Sequence, residues 1–219
     1  FSQDIKYNFF PRPHFITTES VIYDDQKEIS KINKLKIFIS LENLFSIKKI
    51  KLMDLILENA NFNLNKKNYK FFLKLMNKSF QDGNLEVKNS NIFFRNSVDE
   101  VLFINKILRM KYYYESKELK NILYSENEIF NIPFSLESFF NQDKNKIFSQ
   151  INLNLLKLKI ENELDFKNEK KIGNSQLILN KSKRIVQYQI ETNALNFYIF
   201  DKIDDPNISY KGKINFKPF

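Results

Sequence analysis

The sequence predicts a mainly β chain, an antiparallel meander with one or two short helices near residues 41–46 and 68–78. Three observations carry this. Apolar and polar residues alternate in run after run, which gives a strand one apolar and one polar face. The runs recur about every 10–20 residues, separated by Asn, Lys, Asp and Ser turns. Only the window 68–78 changes to the three-to-four spacing of a helix.

Taken in order, residues 1–12 are aromatic and close in Pro11 and Pro13, which fits an extended leading segment. Residues 15–23 read as a strand closed by Asp24 and Asp25. The densest pattern is 32–64, two β runs joined by a Leu/Phe-rich helical turn. Leu35, Ile37, Ile39 and Leu41 occupy alternate positions in the first run. The second, from Ile50 to Leu64, alternates with a phase slip and ends in Ala60, Phe62 and Leu64 against Asn59, Asn61, Asn63 and Asn65. In 68–78, Tyr69, Phe72 and Met76, with Phe71 and Leu75, share a helical face, and Asn68 is the expected N-cap.

After Gly83 the strands resume at 85–87, 92–94 and 101–114. Pro133 interrupts 128–136, which marks an edge or bulged strand. The clearest alternation is 151–166. Ile151, Leu153 and Leu155 share one parity; Leu156, Leu158, Ile160, Leu164 and Phe166 share the other. The slip at Leu155 and Leu156 reads as a β-bulge. Segments 176–179, 185–192, 195–200 and 214–216 complete the series. With only 3 Gly in the chain, Asn and Asp must supply the positive-φ positions.

A chain of 219 residues allows one or two domains. No composition shift or repeat divides it, so 1–219 reads as a single segment. Hydrophobic residues make up 42%, enough for a core and too many for a disordered tract. The net charge of +9 comes almost wholly from Lys, since Arg12, Arg95, Arg109 and Arg184 are the only arginines. Phosphate and base readers lean on the planar fork of Arg, so no nucleic acid partner is expected. The clusters at Lys48, Lys49 and Lys51, at Lys66 and Lys67, and at Lys170 and Lys171 read as turn charges, with contact to anionic headgroups or nucleic acid as the other reading. Cys is absent, which excludes disulfides, a thiol nucleophile and a Cys-based zinc site. No apolar run is long enough for a membrane-spanning helix. The chain opens on Phe1 and stops in INFKPF, within a strand-like pattern, and is read as part of a longer protein.

Catalytic patterns are missing. His14, the lone His, sits between Pro13 and Phe15 and reads as a packing or surface residue. No Gly-x-Ser-x-Gly elbow accompanies it, and Gly83, Gly173 and Gly212 are too scattered for a phosphate loop. The carboxylates Asp24 and Asp25, Asp99 and Glu100, and Asp204 and Asp205 lie in turns. Glu161 and Glu163 fall on a solvated parity. No enzyme activity, cofactor or metal is expected. The apolar parities have two readings. They cover a dry core, the commoner solution in a β-sandwich, or they line an open groove for acyl chains.

The motifs PRPHFITTESVIYD, LKIFISLENLF and IKKIKLMDLILENANFNL, followed by LEVKNSNIFFRNSVDEV, add a further indication. They resemble the N-terminal region of the AsmA-like family, relatives of TamB and of the bridge-like lipid-transfer proteins, over about residues 10–114. The resemblance implies an elongated β-sheet curled into an open hydrophobic groove that shields phospholipid tails. It implies a periplasmic, Gram-negative setting, an inner-membrane anchor in a segment absent from this chain, and a part in moving phospholipid between the inner and outer membranes for outer membrane biogenesis. The candidate lipid-groove residues are Ile37, Ile39, Phe62, Leu64, Leu156, Leu158, Ile160, Leu164 and Phe166. Two alternatives stand beside this: an envelope scaffold with a dry β core, and a basic β protein that binds nucleic acid.

Overall fold

The computed structural model describes residues 4–24, 27–40, 52–65, 68, 83–96, 98–118, 120–141, 146–165, 171–180, 182–190, 194–202 and 205–215. These residues are mainly β, as the alternation predicts. Fourteen strands form one mixed, mostly antiparallel sheet whose hydrogen-bonded order follows chain order and does not close. They are β1 (Asp4–Asn8), β2 (His14–Asp24), β3 (Lys27–Ile39), β4 (Leu52–Leu64), β5 (Leu85–Arg95), β6 (Val101–Glu115) and β7 (Lys120–Ile129), then β8 (Ile132–Asn141), β9 (Lys146–Leu153), β10 (Leu158–Asp165), β11 (Lys171–Leu179), β12 (Ser182–Ile190), β13 (Ala194–Lys202) and β14 (Asp205–Asn215). The expected helix near 41–46 and the expected helical face from Tyr69 to Met76 lie outside the described residues. Where the sequence marked no boundary, the chain divides into two compact units. One is residues 1–121 with 125–131, the other 122–124 with 132–219.

In the first unit the pairing departs from a pure meander, because β4 and β5 run parallel. A parallel pair needs a crossover of a dozen or more residues, most often helical. The chain leaves β4 through a reciprocal pair. Asn65 N–H donates to Asn68 Oδ1 at 2.9 Å, and Asn68 N–H donates to Asn65 Oδ1 at 3.1 Å. Each side-chain amide oxygen thus satisfies the other residue's backbone N–H. The chain returns at Asn84, whose backbone and side-chain N–H groups both donate to Asp54 Oδ1. The other carboxylate oxygen of Asp54 holds Arg12 at 2.7 Å.

The phase slip within 50–64 has a structural cause. Glu19, Asn59 and Asn89 adopt left-handed backbone, with φ of 53°, 54° and 48°. The flanking registers align them in one row across the sheet, with Asn33 of β3 between the first two. In β2, β4 and β5 the left-handed residue and the one before it lie outside, and the residues on either side of that pair are buried. Thr17 and Ser20, Leu57 and Ala60, and Val87 and Ser90 are the buried flanks. The sheet turns along this row, and its tightest core gathers inside the turn with Ile32 and Ile107. The ladder between β4 and β5 drops two pairs there. The Ser90 hydroxyl replaces part of it, accepting from Ala60 N–H at 2.9 Å and donating to the Lys88 carbonyl at 2.7 Å. Buried backbone groups are thereby kept bonded.

Outside the turn, charges pair across and along strands. Glu58 lies between Lys36 at 2.7 Å and Lys34 at 3.6 Å. Glu86 lies between Arg109 at 3.0 Å and Lys88 at 3.2 Å. Burial works to raise the Glu58 pKa, but its bond to Lys36 and the charges of Lys36 and Lys34 outweigh it and hold the carboxyl below its usual value.

In the second unit, 151–166 is not one bulged strand. Residues 154–156 form a single 3-10 turn, Lys157 is left-handed at φ 50°, and β9 and β10 fold back as a hairpin. The apparent bulge is the hairpin loop, so Leu156 lies in the turn and is 48% exposed. Pro133 likewise marks neither a bulge nor a broken strand. Phe130 and Asn131 are both left-handed, with φ of 51° and 61°, and end β7; Pro133 is the second residue of the unbroken strand β8. Among the described residues, five of the eight positive-φ positions are Asn or Asp, namely Asn59, Asn89, Asp99, Asn131 and Asn180, and no Gly is among them.

Two tests follow from the first unit. Asn59→Val should lower stability in urea by about 1–2 kcal/mol, the cost of placing a branched residue in left-handed backbone, while Asn59→Gly should leave it nearly unchanged. The depressed Glu58 pKa supplies stability above its ordinary value of 4.5 that is lost as pH falls through the lower folded value. Acid titration of Glu58→Gln should therefore show a shallower loss of stability below that pH than the parent chain.

Candidate functional site

Residues opposite each other on neighbouring strands share a face, so the registers trace each face strand by strand. In the first unit one row runs Tyr7, Phe15, Ile37, Leu55, Leu85, Tyr112. Next to it run Leu35, Leu57, Val87 and Met110. Beyond the turn the same face carries Phe62 and Ile92, then Leu64, Phe94 and Phe103. Phe94 and Phe103 stack at 4.3 Å. Ile37, Phe62 and Leu64 thus share this apolar face and are half-buried. Ile39 lies past a register shift opposite Leu52 and is buried.

In the second unit the hairpin reverses the parity argument. Leu153 pairs with Leu158, Ile151 with Ile160 and Ile147 with Leu164. The strand members of the two sets that alternation assigned to opposite parities, Ile151 and Leu153 and then Leu158, Ile160 and Leu164, therefore lie on one face. That face extends to Leu136 and Phe140 in β8, Leu177 and Leu179 in β11, Val186 and Tyr188 in β12, Phe197 and Ile199 in β13, and Tyr210 and Ile214 in β14. Leu158, Ile160 and Leu164 sit near its centre, half-buried. Phe166 lies outside the described residues. Gly173 and Gly212 also point to this face. A Cβ at Gly173 would run into the Tyr188 ring, and one at Gly212 into the Phe197 ring. Each ring lies flat over the neighbouring glycine and keeps the apolar surface continuous.

A hydrogen-bonded row crosses this apolar face. Ser138, Ser149, Asn162 and Ser175 are direct neighbours across β8 to β11. The Ser138 and Ser149 hydroxyls meet at 2.9 Å, and Ser138 also donates to the Phe148 carbonyl at 2.9 Å. Ser175 and Tyr188 both donate to Asn162 Oδ1, at 2.7 and 2.6 Å. Burial pushes the Tyr188 phenol above its ordinary value, against its bonds to Asn162 and Ser175, so it stays the protonated donor. Alternation arguments passed over this row because its members look like ordinary polar interruptions. The visible signal was a Ser or Asn on the apolar parity of each of four successive strands.

The opposite face carries Glu137, Gln150, Glu161 and Gln176 as one row. Lys146 pairs with Glu163, and Lys159 with Glu161 at 2.6 Å. Phe139 and Phe148 stack there at 5.1 Å. An open depression of about 460 Å³ lies here, lined by that row with Phe139, Phe148, Glu163, Asn174, Ile185 and Gln187, and reaching Ser149 and Asn162 between them.

His14 is buried, stacks on Phe38 at 4.8 Å and makes a 2.7 Å bond from Nδ1 to the Arg12 carbonyl, which places its proton on Nδ1. It is a packing residue. Asp99 lies in the turn between β5 and β6. Among the described residues no three His, Cys, Asp or Glu side chains group to hold a metal ion, and no helix is long and apolar enough to cross a membrane. No protein-family model and no curated protein matches the chain.

The glycine contact is testable. Gly173→Val should destabilise the chain by about 1–3 kcal/mol, the usual cost of overpacking. Gly173→Val combined with Tyr188→Ala should recover part of that loss in the same urea titration.

Proposed function

We propose that this chain is a lipid-shielding β-sheet segment of the AsmA-like kind. Its apolar faces would cover phospholipid acyl chains during transfer between the inner and outer membranes of a Gram-negative envelope. One observation carries the reading. Across β8 to β14 the registers align apolar side chains into one continuous face, and its central members Leu158, Ile160 and Leu164 remain half-buried. All the described strands of that unit belong to a single sheet, whereas a dry sandwich needs a second one packed about 10 Å away.

Physical chemistry supports the mechanism. Each CH₂ of a lipid tail in water costs about 0.8 kcal/mol. A continuous apolar face lowers that cost at every position along a path, with no specific pocket and no catalytic group. The depression on the opposite face mixes Glu and Gln with Phe139, Phe148 and Ile185 and is less uniformly apolar than this face. Lys34, Lys36, Lys88 and Arg109 are engaged by Glu58 and Glu86, which weighs against a phosphate-gripping nucleic acid surface. Periplasmic location and an anchor in a further segment belong to the same proposal.

Native mass spectrometry of the chain purified from bacteria, with lipid extraction of the same sample, tests it. The expected result is co-purified phospholipid that is lost when Leu158→Asp and Ile160→Asp are combined and circular dichroism shows the fold retained. A folded, monodisperse, lipid-free parent chain would refute it.

A further inference from the structure

We propose that the row through Ser138, Ser149, Asn162 and Ser175 is a hydrogen-bonding subsite for the ester carbonyl of an acyl lipid, with the Asn162 amide N–H groups as the donors. This rests on the lipid reading and adds the part of the ligand that is recognised.

Proton bookkeeping singles out Asn162. The single proton of Ser138 goes to the Phe148 carbonyl, so Ser149 is the donor in the pair it makes with Ser138. The protons of Ser175 and Tyr188 both go to Asn162 Oδ1. Every hydroxyl proton in the cluster is therefore used within the protein. Two donations onto Oδ1 fix the amide orientation, and Nδ2 keeps both of its N–H donors. A neutral amide carries up to two donors on that nitrogen.

The surroundings define the acceptor. On the same face, Ile160 and Leu164 lie two residues either side of Asn162 on β10, with Ile151 and Ile147 opposite them. The acceptor must therefore sit between apolar groups. No Lys or Arg belongs to the cluster. The Lys residues that flank it, Lys146 and Lys159, are on the opposite parity and pair with Glu163 and Glu161. Lys171 and Arg184 share this face but stand at other levels, opposite Ile190 and Leu177, so a phosphate or free carboxylate at the row itself would place its charge among apolar groups. A neutral carbonyl with hydrocarbon on both sides fits, and that is an acyl ester. The row runs across strands, so successive hydroxyl and amide groups continue in the direction in which a lipid would pass from strand to strand.

The test is a competition read by native mass spectrometry. The delipidated chain is offered equal amounts of a diacyl ester phosphatidylcholine and its dialkyl ether analogue of the same chain length. One neutral hydrogen bond corresponds to about a three- to tenfold preference, so the parent chain should carry that excess of ester lipid. Asn162→Asp keeps an acceptor for Ser175 and Tyr188 but removes the donors. Asn162→Leu removes both. Each variant should bring the ratio to near one while total lipid carried is retained and circular dichroism is unchanged. A parent ratio near one with lipid bound, or variants that keep the ester excess, overturns the subsite and leaves the lipid reading standing. Failure of the parent chain to carry either lipid overturns both.

Discussion

A strand has two faces, and residues opposite one another on paired strands must share one. That constraint governs this chain. Once β9 and β10 are joined through residues 154–157, Ile151 and Ile160 have no choice but to point the same way. Wherever the apolar alternation slips by one residue, the backbone must absorb the slip or the apolar set would cross to the water side. The chain does this with left-handed residues. Asn59 and Asn89 turn the first unit inside a strand pair. Lys157 does it at a hairpin loop in the second. The consequences differ. A slip inside a paired strand bends the sheet and makes a buried core from Leu57, Ala60, Val87 and Ser90. A slip at a loop leaves the sheet single-layered and its apolar face half-open.

The β class, the use of Asn and Asp at positive φ and the long strand at 101–114 were legible in the sequence. Their causes are local: side-chain alternation and the tolerance of Asn for left-handed backbone. The topology was less legible. A phase slip looks the same in sequence whether it is a bulge, a corner or a tight hairpin, which is why 151–166 read as one strand. Nor does alternation distinguish parallel from antiparallel neighbours, so the β4–β5 pair could not be foreseen. Among the candidate site residues, Leu158, Ile160 and Leu164 do share a face, with Ile147, Ile151 and Leu153 beside them. Leu156 belongs to the loop instead. The hydrogen-bonded row centred on Asn162 was invisible for a simpler reason: its meaning depends on which residues of four strands are opposite each other.

The two faces of the second unit divide the chemistry. Carboxylates, amides and paired lysines gather on one side, with Phe139, Phe148, Ile172, Ile178 and Ile185 among them. Isoleucine, leucine, valine and aromatic rings over glycine dominate the other, which also carries Lys171 and Arg184. Such a division is ordinary in a sheet that covers a core. What distinguishes this face is its extent over seven strands and the neutral polar row that runs through it. The proposed lipid reading uses both: the apolar extent for the acyl chains and the row for the acceptors at one level of a glycerolipid.

Photo-crosslinking at neighbouring positions of one strand tests the central claim most directly. A benzoyl-phenylalanine probe at Ile160 or Leu164 faces the apolar side, and one at Glu161 or Glu163 the other. The account predicts that ultraviolet irradiation in bacteria captures phospholipid at positions 160 and 164 and not at 161 and 163. Capture at all four alike, or at none while the protein is folded, would contradict it.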